Sequence, residues 1–200
     1  MDKARQPYVC PAELAGTLDN GLRKLFHKPR KILEPYIYEG MTVLDLGCGP
    51  GYFTEELARL AGEGGRVIAA DLQQKMLEKM AGKVRGTSFE KRIEAHLCKS
   101  DRIGIPFKVD FILAFWMIHE VPDQMRMFRE MKSILNPGGR IFIIEPKIHV
   151  TKKAFINMLA NLESAGLAII ERPKVSVSRS VLLATKDDKV SRESNVTVEI

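Results

Sequence analysis

The stretch Val43-Leu44-Asp45-Leu46-Gly47-Cys48-Gly49-Pro50-Gly51 decides the fold of this chain of 200 residues. It opens as a short apolar run, passes through three glycines at alternate positions, and leads into a helix-patterned segment that begins near Tyr52. A strand that turns through glycines into a helix is the start of a βαβ unit, and the turn makes room for a nucleotide-sized ligand. The stretch therefore predicts an α/β domain with a binding site at the end of its first strand.

Short apolar runs alternate with longer helix-patterned segments from residue 42 onward. Continuous runs such as Arg140-Ile141-Phe142-Ile143-Ile144 suit strands that are covered on both faces, and Pro137-Gly138-Gly139 before that run predicts a turn. The predicted strands are 42–46, 66–70, 93–98, 109–115, 140–145, 167–172 and 180–186, and the predicted helices are 52–61, 73–83, 122–134 and 151–165. This alternation predicts a doubly wound α/β sheet.

Composition and charge are those of a soluble globular protein with one domain. Apolar residues make up 45% and charged residues 28%, and no apolar run approaches the roughly 18 residues of a membrane span. The first residues lack the apolar core of a secretory signal, so we expect a cytoplasmic protein. The three cysteines are widely spaced without a C-x-x-C pair, which argues against a disulfide framework. The net charge of +6 is spread along the chain and favours a solvated surface over a nucleic-acid interface.

Gly47, Gly49 and Gly51 allow a sharp backbone turn and a close approach to a ligand, because no Cβ atom intervenes. We expect exposed amides of this turn and the positive end of the following helix to bind an anionic group of the ligand. The spacing is G-x-G-x-G, whereas dinucleotide-binding folds carry G-x-G-x-x-G. The pattern therefore favours S-adenosyl-L-methionine over NAD as the cofactor.

Three aspartates are candidates for contacts with such a cofactor. Asp71 ends the second predicted strand, where a carboxylate can accept both ribose hydroxyls; a helix N-cap is the structural alternative. Asp101, expected at the end of the third strand, is a candidate acceptor for the adenine amino group, with pairing to a neighbouring base as the alternative. Asp45 lies inside the first strand, where a buried acid needs a partner, so we expect it to hold the glycine loop or to meet the cofactor's ammonium group.

These features together resemble the class I S-adenosylmethionine-dependent methyltransferases, and within them the small ubiquinone and menaquinone biosynthesis C-methyltransferases (methyltransferase type 11). The resemblance covers about residues 40–146 and rests on Val43 to Gly51, Asp71, Asp101 with Ile105-Pro106-Phe107, the run 109–113, and Pro137-Gly138-Gly139. It implies a seven-stranded, mostly parallel Rossmann-like sheet whose last strand, 180–186, is antiparallel between the fifth and sixth. It also implies a cofactor-binding set made of Asp45, Gly47, Cys48, Gly49, Gly51, Asp71, Leu72, Asp101 and Phe115.

Absent motifs narrow the acceptor of such an enzyme. Members of this fold that methylate exocyclic amines carry an Asn/Asp-Pro-Pro-Tyr/Phe motif after the fourth strand, where this chain reads Ala114-Phe115-Trp116-Met117. Cytosine C5 methylation needs a cysteine nucleophile in that region, and no cysteine follows Cys98. Nucleic acid is therefore disfavoured, and we expect a small-molecule or lipid-like acceptor. The oligomeric state stays open, and a homodimer is one of its alternatives.

His119 and Glu145 are the candidate catalytic residues. His119 falls where relatives line the mouth shared by cofactor and acceptor, and a histidine titrates near neutral pH, so it can accept a proton from the acceptor. Local packing of His119 is an equal alternative. Glu145 ends the fifth predicted strand and is a candidate acid of the acceptor site. No metal site is expected, because a second histidine one helical turn after His119-Glu120 is missing and Pro122 interrupts the helix.

The resulting organisation is an N-terminal helical lid segment (1–40), an S-adenosylmethionine-binding methyltransferase domain (41–187) and a polar C-terminal tail (188–200). The first segment contains leucines at helical spacing, and Pro29 suits the first turn of a second short helix. Two other functions stay open at this stage. One is a non-catalytic S-adenosylmethionine-binding partner or sensor, and the other is an NAD-dependent oxidoreductase.

Overall fold

The computed structural model describes residues 27–188. The helices are α1 (Pro29–Leu33), α2 (Thr54–Ala61), α3 (Gln74–Val84), α4 (Gln124–Ser133) and α5 (Lys152–Ser164), with short 3-10 helices at Glu90–Arg92 and Ile118–Glu120. The strands are β1 (Thr42–Leu46), β2 (Arg66–Asp71), β3 (Ile93–Leu97), β4 (Val109–Phe115), β5 (Leu135–Pro146), β6 (Leu167–Glu171) and β7 (Ser178–Thr185). The predicted alternation of strands and helices is confirmed.

The described strands form one sheet of seven in the order β3-β2-β1-β4-β5-β7-β6. Strands β1 to β5 pair in parallel, and β7 lies antiparallel between β5 and β6. This confirms the doubly wound sheet with an antiparallel last strand. The strand order reverses between β1 and β4, and in open α/β sheets the crevice at such a switch point, at the carboxyl ends of the strands, is where ligands bind.

Alternate residues of each central strand point into two apolar layers, as the twofold period of a strand requires. Leu44 and Ile112 belong to the layer under α4 and α5, whereas Val43 and Phe111 belong to the layer under α1 and α2. All four side chains are fully buried. The two layers cover both faces of the sheet, and the loops at its carboxyl edge start from these buried strands.

The predicted turn at Pro137-Gly138-Gly139 is wrong in its placement, because these residues lie inside β5, which begins at Leu135. The register against β4 shifts between Val109 and Phe111, so the segment is an irregularity within the strand. Gly138 has a φ of 78°, which a glycine adopts without strain. The Asn136 side chain donates to Asp110 at 2.7 Å and holds the segment against β4.

The N-terminal predictions are only partly visible. The second predicted short helix is α1, with Pro29 in its first turn, whereas the first predicted helix, most of the lid segment and nearly all of the C-terminal tail lie outside residues 27–188. Within that range no helix is both long and apolar enough to cross a membrane.

Candidate functional site

The glycine loop after β1 has the backbone conformation that its sequence predicts. Gly47, Gly49 and Gly51 have φ angles of 70°, 53° and 82°, in the left-handed region that side chains disfavour. A Cβ atom on Gly47 would lie 2.8 Å from Met117, and one on Gly51 would lie 2.6 Å from Met80. A Cβ atom on Gly49 would have no atom of residues 27–188 within 4 Å. The first and last glycines thus serve packing, and the middle one borders open space.

Four amides of the loop that the sequence predicts to bind an anion have partners within the domain, and anion binding at the start of α2 stays a prediction. The amides of Gly47 and Cys48 both donate to the Ala70 carbonyl, at 2.8 and 3.0 Å, and tie the loop to β2. The Gly49 amide donates to the Asp71 carboxylate at 2.9 Å, and the Gly51 amide donates to the Cys48 carbonyl at 3.1 Å. The loop therefore satisfies its own donors, and it offers a ligand close approach rather than hydrogen bonds from these groups.

Asp71 lies at the carboxyl end of β2, where the sequence predicts it. One carboxylate oxygen accepts from the Gly49 amide and the other accepts from the Gln73 amide at 2.8 Å. Burial raises the pKa of Asp71, and the amides of Gln73, Gly49 and Leu72 oppose that rise. A carboxylate has about four acceptor positions, so Asp71 can bind the loop and still accept from a ligand hydroxyl. The side chain does not cap α3 itself, because the N-cap residue is Gln73.

Asp45 is buried inside β1 and has a partner within the domain. Its carboxylate accepts from the Thr54 hydroxyl at 2.6 Å, and Thr54 is the first residue of α2. The pair bridges the strand before the glycine loop and the helix after it. Of the two roles expected for Asp45, the structure provides the one that holds the loop; contact with the cofactor stays a prediction.

Three other residues that are predicted to bind the cofactor differ in the exposure of their side chains. Cys48 is buried against α3, and burial raises the pKa of its thiol, so its side chain is part of the core. Phe115 is also buried and packs on Phe53, with ring centroids 4.4 Å apart. Leu72 is 41% exposed directly after Asp71. An exposed leucine beside a strand-end acid is suited to an apolar ring face, whereas Cys48 can meet a ligand only through its backbone.

Asp101 does not lie at the end of β3, which stops at Leu97. It occupies a turn closed by a bridge between Lys99 and Arg102, and its side chain is half exposed. Arg126 of α4 donates to its carboxylate at 3.3 Å. The structure thus shows the pairing with a neighbouring base that the sequence left as the alternative, and the contact with adenine stays a prediction.

His119 and Glu145 meet at the carboxyl ends of β4 and β5. Register pairing of Phe115 with Ile144 brings the two strand ends together. Glu145 is fully buried, and one of its oxygens accepts from the Ile118 amide at 3.1 Å. The other accepts from the His119 amide at 3.1 Å and from His119 Nδ1 at 2.7 Å. Glu145 is therefore buried next to His119 and hydrogen-bonded to it.

The imidazole of His119 is partly exposed, with a side-chain exposure of 23%. Burial alone would lower the pKa of His119, but the hydrogen bond and charge of Glu145, together with the charge of Glu120, outweigh burial and raise it. The ring of His149 lies 5.5 Å from the ring of His119. Met117 packs on Gly47, so the turn that carries His119 adjoins the glycine loop.

An aromatic group that the sequence did not assemble lies beside these two loops. Trp116 has a left-handed φ of 59°, and its indole nitrogen donates to Ser178 at 3.0 Å. Its ring stacks on Phe115, and the His27 ring contacts both edge-on. The hydroxyl of Tyr52 donates to the His27 carbonyl at 2.7 Å. The only tryptophan of the chain thus lies beside the predicted cofactor crevice.

Thr54 and His149 are the residues of this edge that sequence reasoning missed. Thr54 had a signal, because a hydroxyl at a helix start nine residues after a strand acid is placed to reach back to it. His149 had none, because its proximity to His119 depends on the turn that follows β5.

Comparison with known proteins gives a consistent result for this geometry. A family model described as a methyltransferase domain matches residues 37–190. A demethylmenaquinone methyltransferase of Lactobacillus johnsonii is 34% identical over 129 residues, which are 63% of this chain and 50% of that protein. A ubiquinone/menaquinone biosynthesis C-methyltransferase of Escherichia coli is 32% identical over 123 residues, 60% of this chain and 49% of that protein. The chain spans about half the length of the curated relatives it matches.

Solved structures agree with the sheet topology. A SAM-dependent methyltransferase from Aquifex aeolicus superimposes with a TM-score of 0.78 at 26% identity, covering 88% of this chain and 98% of that one. A structure described as a putative S-adenosyl-L-methionine-dependent methyltransferase from Methanococcus maripaludis has a TM-score of 0.74 at 17% identity, over 94% and 98% of the two chains. The second likeness is one of fold alone.

Proposed function

We propose that this chain, which belongs to the methyltransferase domain family, transfers the methyl group of S-adenosylmethionine to a small, lipid-like acceptor. Family membership confirms the resemblance carried by Val43 to Gly51 and makes S-adenosylmethionine the cofactor. The observation that carries the proposal is the union, at one sheet edge, of an open glycine loop with a strand-end acid and a histidine–carboxylate pair.

The residues present fit this cofactor. Gly49 borders open space where a Cβ would intrude, Asp71 keeps capacity to accept from a ribose hydroxyl, and Leu72 is exposed beside it. These three would hold the adenosine part. When bound, S-adenosylmethionine supplies a methyl carbon on a positively charged sulfur, and that carbon is ready for in-line displacement.

His119 is proposed as the base that takes the acceptor's proton. A carboxylate can only accept hydrogen bonds, so the 2.7 Å contact with Glu145 requires the proton on His119 Nδ1. The other ring nitrogen, Nε2, then carries a lone pair in the neutral ring, and it can accept a proton. Removal of that proton raises the electron density of the acceptor at the moment of methyl transfer. Glu145 acts through His119, as a positioning residue.

The relatives named for demethylmenaquinone and for ubiquinone and menaquinone biosynthesis support an acceptor with a hydroxyl-bearing aromatic ring and a lipid-like tail. Trp116, which is partly exposed and stacks on the buried Phe115 beside the crevice, offers a flat apolar surface of the kind such a ring packs against. A hydroxyl on that ring is the group that His119 would deprotonate.

The first test is a calorimetric titration of the purified full chain with S-adenosylhomocysteine and, separately, with NADH. Saturable binding of S-adenosylhomocysteine without a response to NADH is expected. Preferential binding of NADH would overturn the proposal in favour of an oxidoreductase.

The second test is methyl transfer from S-adenosylmethionine to a short-chain demethylmenaquinol, with a transfer RNA as the comparison substrate. Methylation of the quinol alone is expected. Binding of S-adenosylhomocysteine without turnover on either substrate would favour a sensor or partner protein, and methylation of the RNA alone would refute the lipid-like acceptor.

A further inference from the structure

Two exposed aliphatic side chains lie on adjoining segments at the carboxyl edge of the sheet. Ile148, in the turn after β5, is 88% exposed, and Val177, in the connection from β6 to β7, is 43% exposed. The Lys147 amide donates to the Val177 carbonyl at 3.0 Å, so the two segments are joined. Val177 has a left-handed φ of 51°, a strained conformation for a β-branched residue. The fold thus holds a branched apolar side chain in water at a backbone cost.

Exposed lysines lie on the two joined segments and in a neighbouring groove, which Lys174 shares with α1. Lys147 and Lys174 are exposed on the two joined segments. Lys28 and Lys31, at the start of the chain's described part, line a groove of about 370 Å³ together with Lys174. We call this surface, made of Lys28, Lys31, Lys147, Ile148, Lys174 and Val177, the basic rim.

The groove that Lys28, Lys31 and Lys174 line also has apolar lining residues, among them Ile32, Phe142 and Val175. Its acid, Glu171, lies 3.4 Å from the hydroxyl of Tyr36, whose pKa is raised to about 12 by burial and by the charge and hydrogen bond of Glu171. The hydroxyl therefore stays protonated at physiological pH and donates to that carboxylate. The basic rim therefore has more positive than negative charges, and these lie next to the apolar residues that line the groove.

The basic rim adjoins the proposed acceptor site. Ile148 precedes His149, whose ring lies 5.5 Å from that of His119, and Lys147 follows Glu145 by two residues. The exposed isoleucine is thus next in sequence to the residue whose ring neighbours that of His119.

We propose that the basic rim docks the protein on an anionic lipid bilayer, so that a membrane-dissolved acceptor reaches His119 from the bilayer surface. This inference rests on the proposed function for its use, while the docking itself is independent of methyl transfer. Exposed aliphatic side chains enter the boundary between headgroups and acyl chains, and each nearby lysine adds attraction to acidic lipids. The exposed aliphatic side chains of Ile148 and Val177 distinguish this surface from a nucleic-acid interface, where aromatic stacking and phosphate contacts dominate.

The test is co-sedimentation of the full-length protein with vesicles of phosphatidylcholine alone or mixed with phosphatidylglycerol, without cofactor. Binding only to the mixed vesicles is expected, and it should fall at high salt. Lys147→Gln and Lys174→Gln should each weaken binding about fivefold, from about 1 kcal/mol per lysine near an acidic surface. Ile148→Ser should weaken it about tenfold or more through loss of the buried aliphatic group.

The matched controls lie on and just before β3, the strand at the other end of the sheet from β6. Leu97 is 51% exposed on β3, and Lys91 is exposed just before that strand. Leu97→Ser and Lys91→Gln should leave vesicle binding unchanged. Binding that is equal on both vesicle types, or equally weakened by the control pair, would overturn the inference.

Other occupants are separate outcomes. Binding of a mixed-sequence oligonucleotide that Ile148→Ser leaves intact, in the absence of vesicle binding, would assign the rim to nucleic acid. A dimer in sedimentation velocity that Ile148→Ser dissociates, again without vesicle binding, would assign it to a second copy. Titration with S-adenosylhomocysteine is run in parallel: normal binding with no vesicle binding refutes docking alone, whereas vesicle binding without cofactor binding refutes the proposed function alone.

Discussion

The cofactor side and the acceptor side of the sheet edge are built by different means. Around Gly47, Gly49 and Gly51 the structure is set by backbone conformation and by amide hydrogen bonds to Ala70 and Asp71. Around His119 and Glu145 it is set by two side chains and the amides that hold them. The conformation of a site built from backbone groups is determined by the local sequence. A pair of side chains from distant segments forms only if the right strands become neighbours. Binding and proton transfer should therefore respond to different substitutions.

The largest expected effect is on the acceptor side. His119→Asn should lower the turnover of the quinol acceptor by about 10²- to 10⁴-fold, because it removes the proposed base. The affinity for S-adenosylhomocysteine should stay as in the wild type. Steady-state kinetics at saturating cofactor measures this. His149→Asn is the control, because its ring neighbours that of His119 whereas the hydrogen bond to Glu145 is made by His119. Full activity in His119→Asn would make the residue structural.

The next effect is on the cofactor side. Asp71→Asn should weaken S-adenosylhomocysteine binding by about 1.5–3 kcal/mol, because charge-assisted hydrogen bonds to the ligand are lost. The fluorescence of Trp116, beside the crevice, provides the titration signal. Glu78→Gln, an exposed acid on α3, should bind normally. An unchanged affinity in Asp71→Asn would show that the Asp71 carboxylate does not bind the ribose hydroxyls.

A pair of glycine substitutions separates packing from ligand approach. Gly49→Ala should cost about 1–2 kcal/mol of unfolding free energy, from left-handed strain alone, and it should weaken cofactor binding. Gly51→Ala should cost more, because its Cβ also meets Met80 at 2.6 Å. Urea unfolding followed by circular dichroism measures both. Equal stabilities for the two variants would show that Met80 does not restrict Gly51.

The smallest effect is a shift along the pH axis. The pKa of His119 is raised above 6.5. Turnover should therefore rise with pH, and the midpoint of this rise should lie above pH 6.5. Glu145→Gln removes the charge that raises the pKa, so the rising limb and the imidazole titration seen by NMR should both move to lower pH. If the rising limb of the pH profile does not move in Glu145→Gln, Glu145 does not raise the pKa of His119.

The sign of the stability effect follows from the same shift. A histidine with a raised folded-state pKa stabilises the protein fully below its ordinary pKa of 6.5, and this stabilisation is lost as pH rises through the raised value. The wild type should thus lose a small part of its unfolding free energy in that window, and Glu145→Gln should not.

Most of the fold was predictable, because strand and helix periods are local properties of the sequence. Residues 42–46 and 109–115 were predicted with the observed limits. The start of β5 was not, since Pro137 and Gly138 read as a turn while tertiary pairing with β4 draws them into the strand. The antiparallel place of β7 came from the resemblance rather than from any local pattern.

The candidate site divides in the same way. Asp71 was predictable, because the residue that ends a strand after a glycine loop always lies at the same rim. The pairing of His119 with Glu145 was not, because the two are 26 residues apart and meet only through the parallel register of β4 and β5. The sequence also placed Asp101 at a strand end, whereas a turn carries it toward Arg126.

The most direct test is a calorimetric titration of S-adenosylhomocysteine into the wild type, Asp71→Asn and His119→Asn under one set of conditions. We expect tight binding to the wild type, the same affinity for His119→Asn, and a clearly weaker affinity for Asp71→Asn. Equal losses in the two variants, or no binding to the wild type, would contradict the separation of a backbone-built cofactor site from a side-chain-built acceptor site.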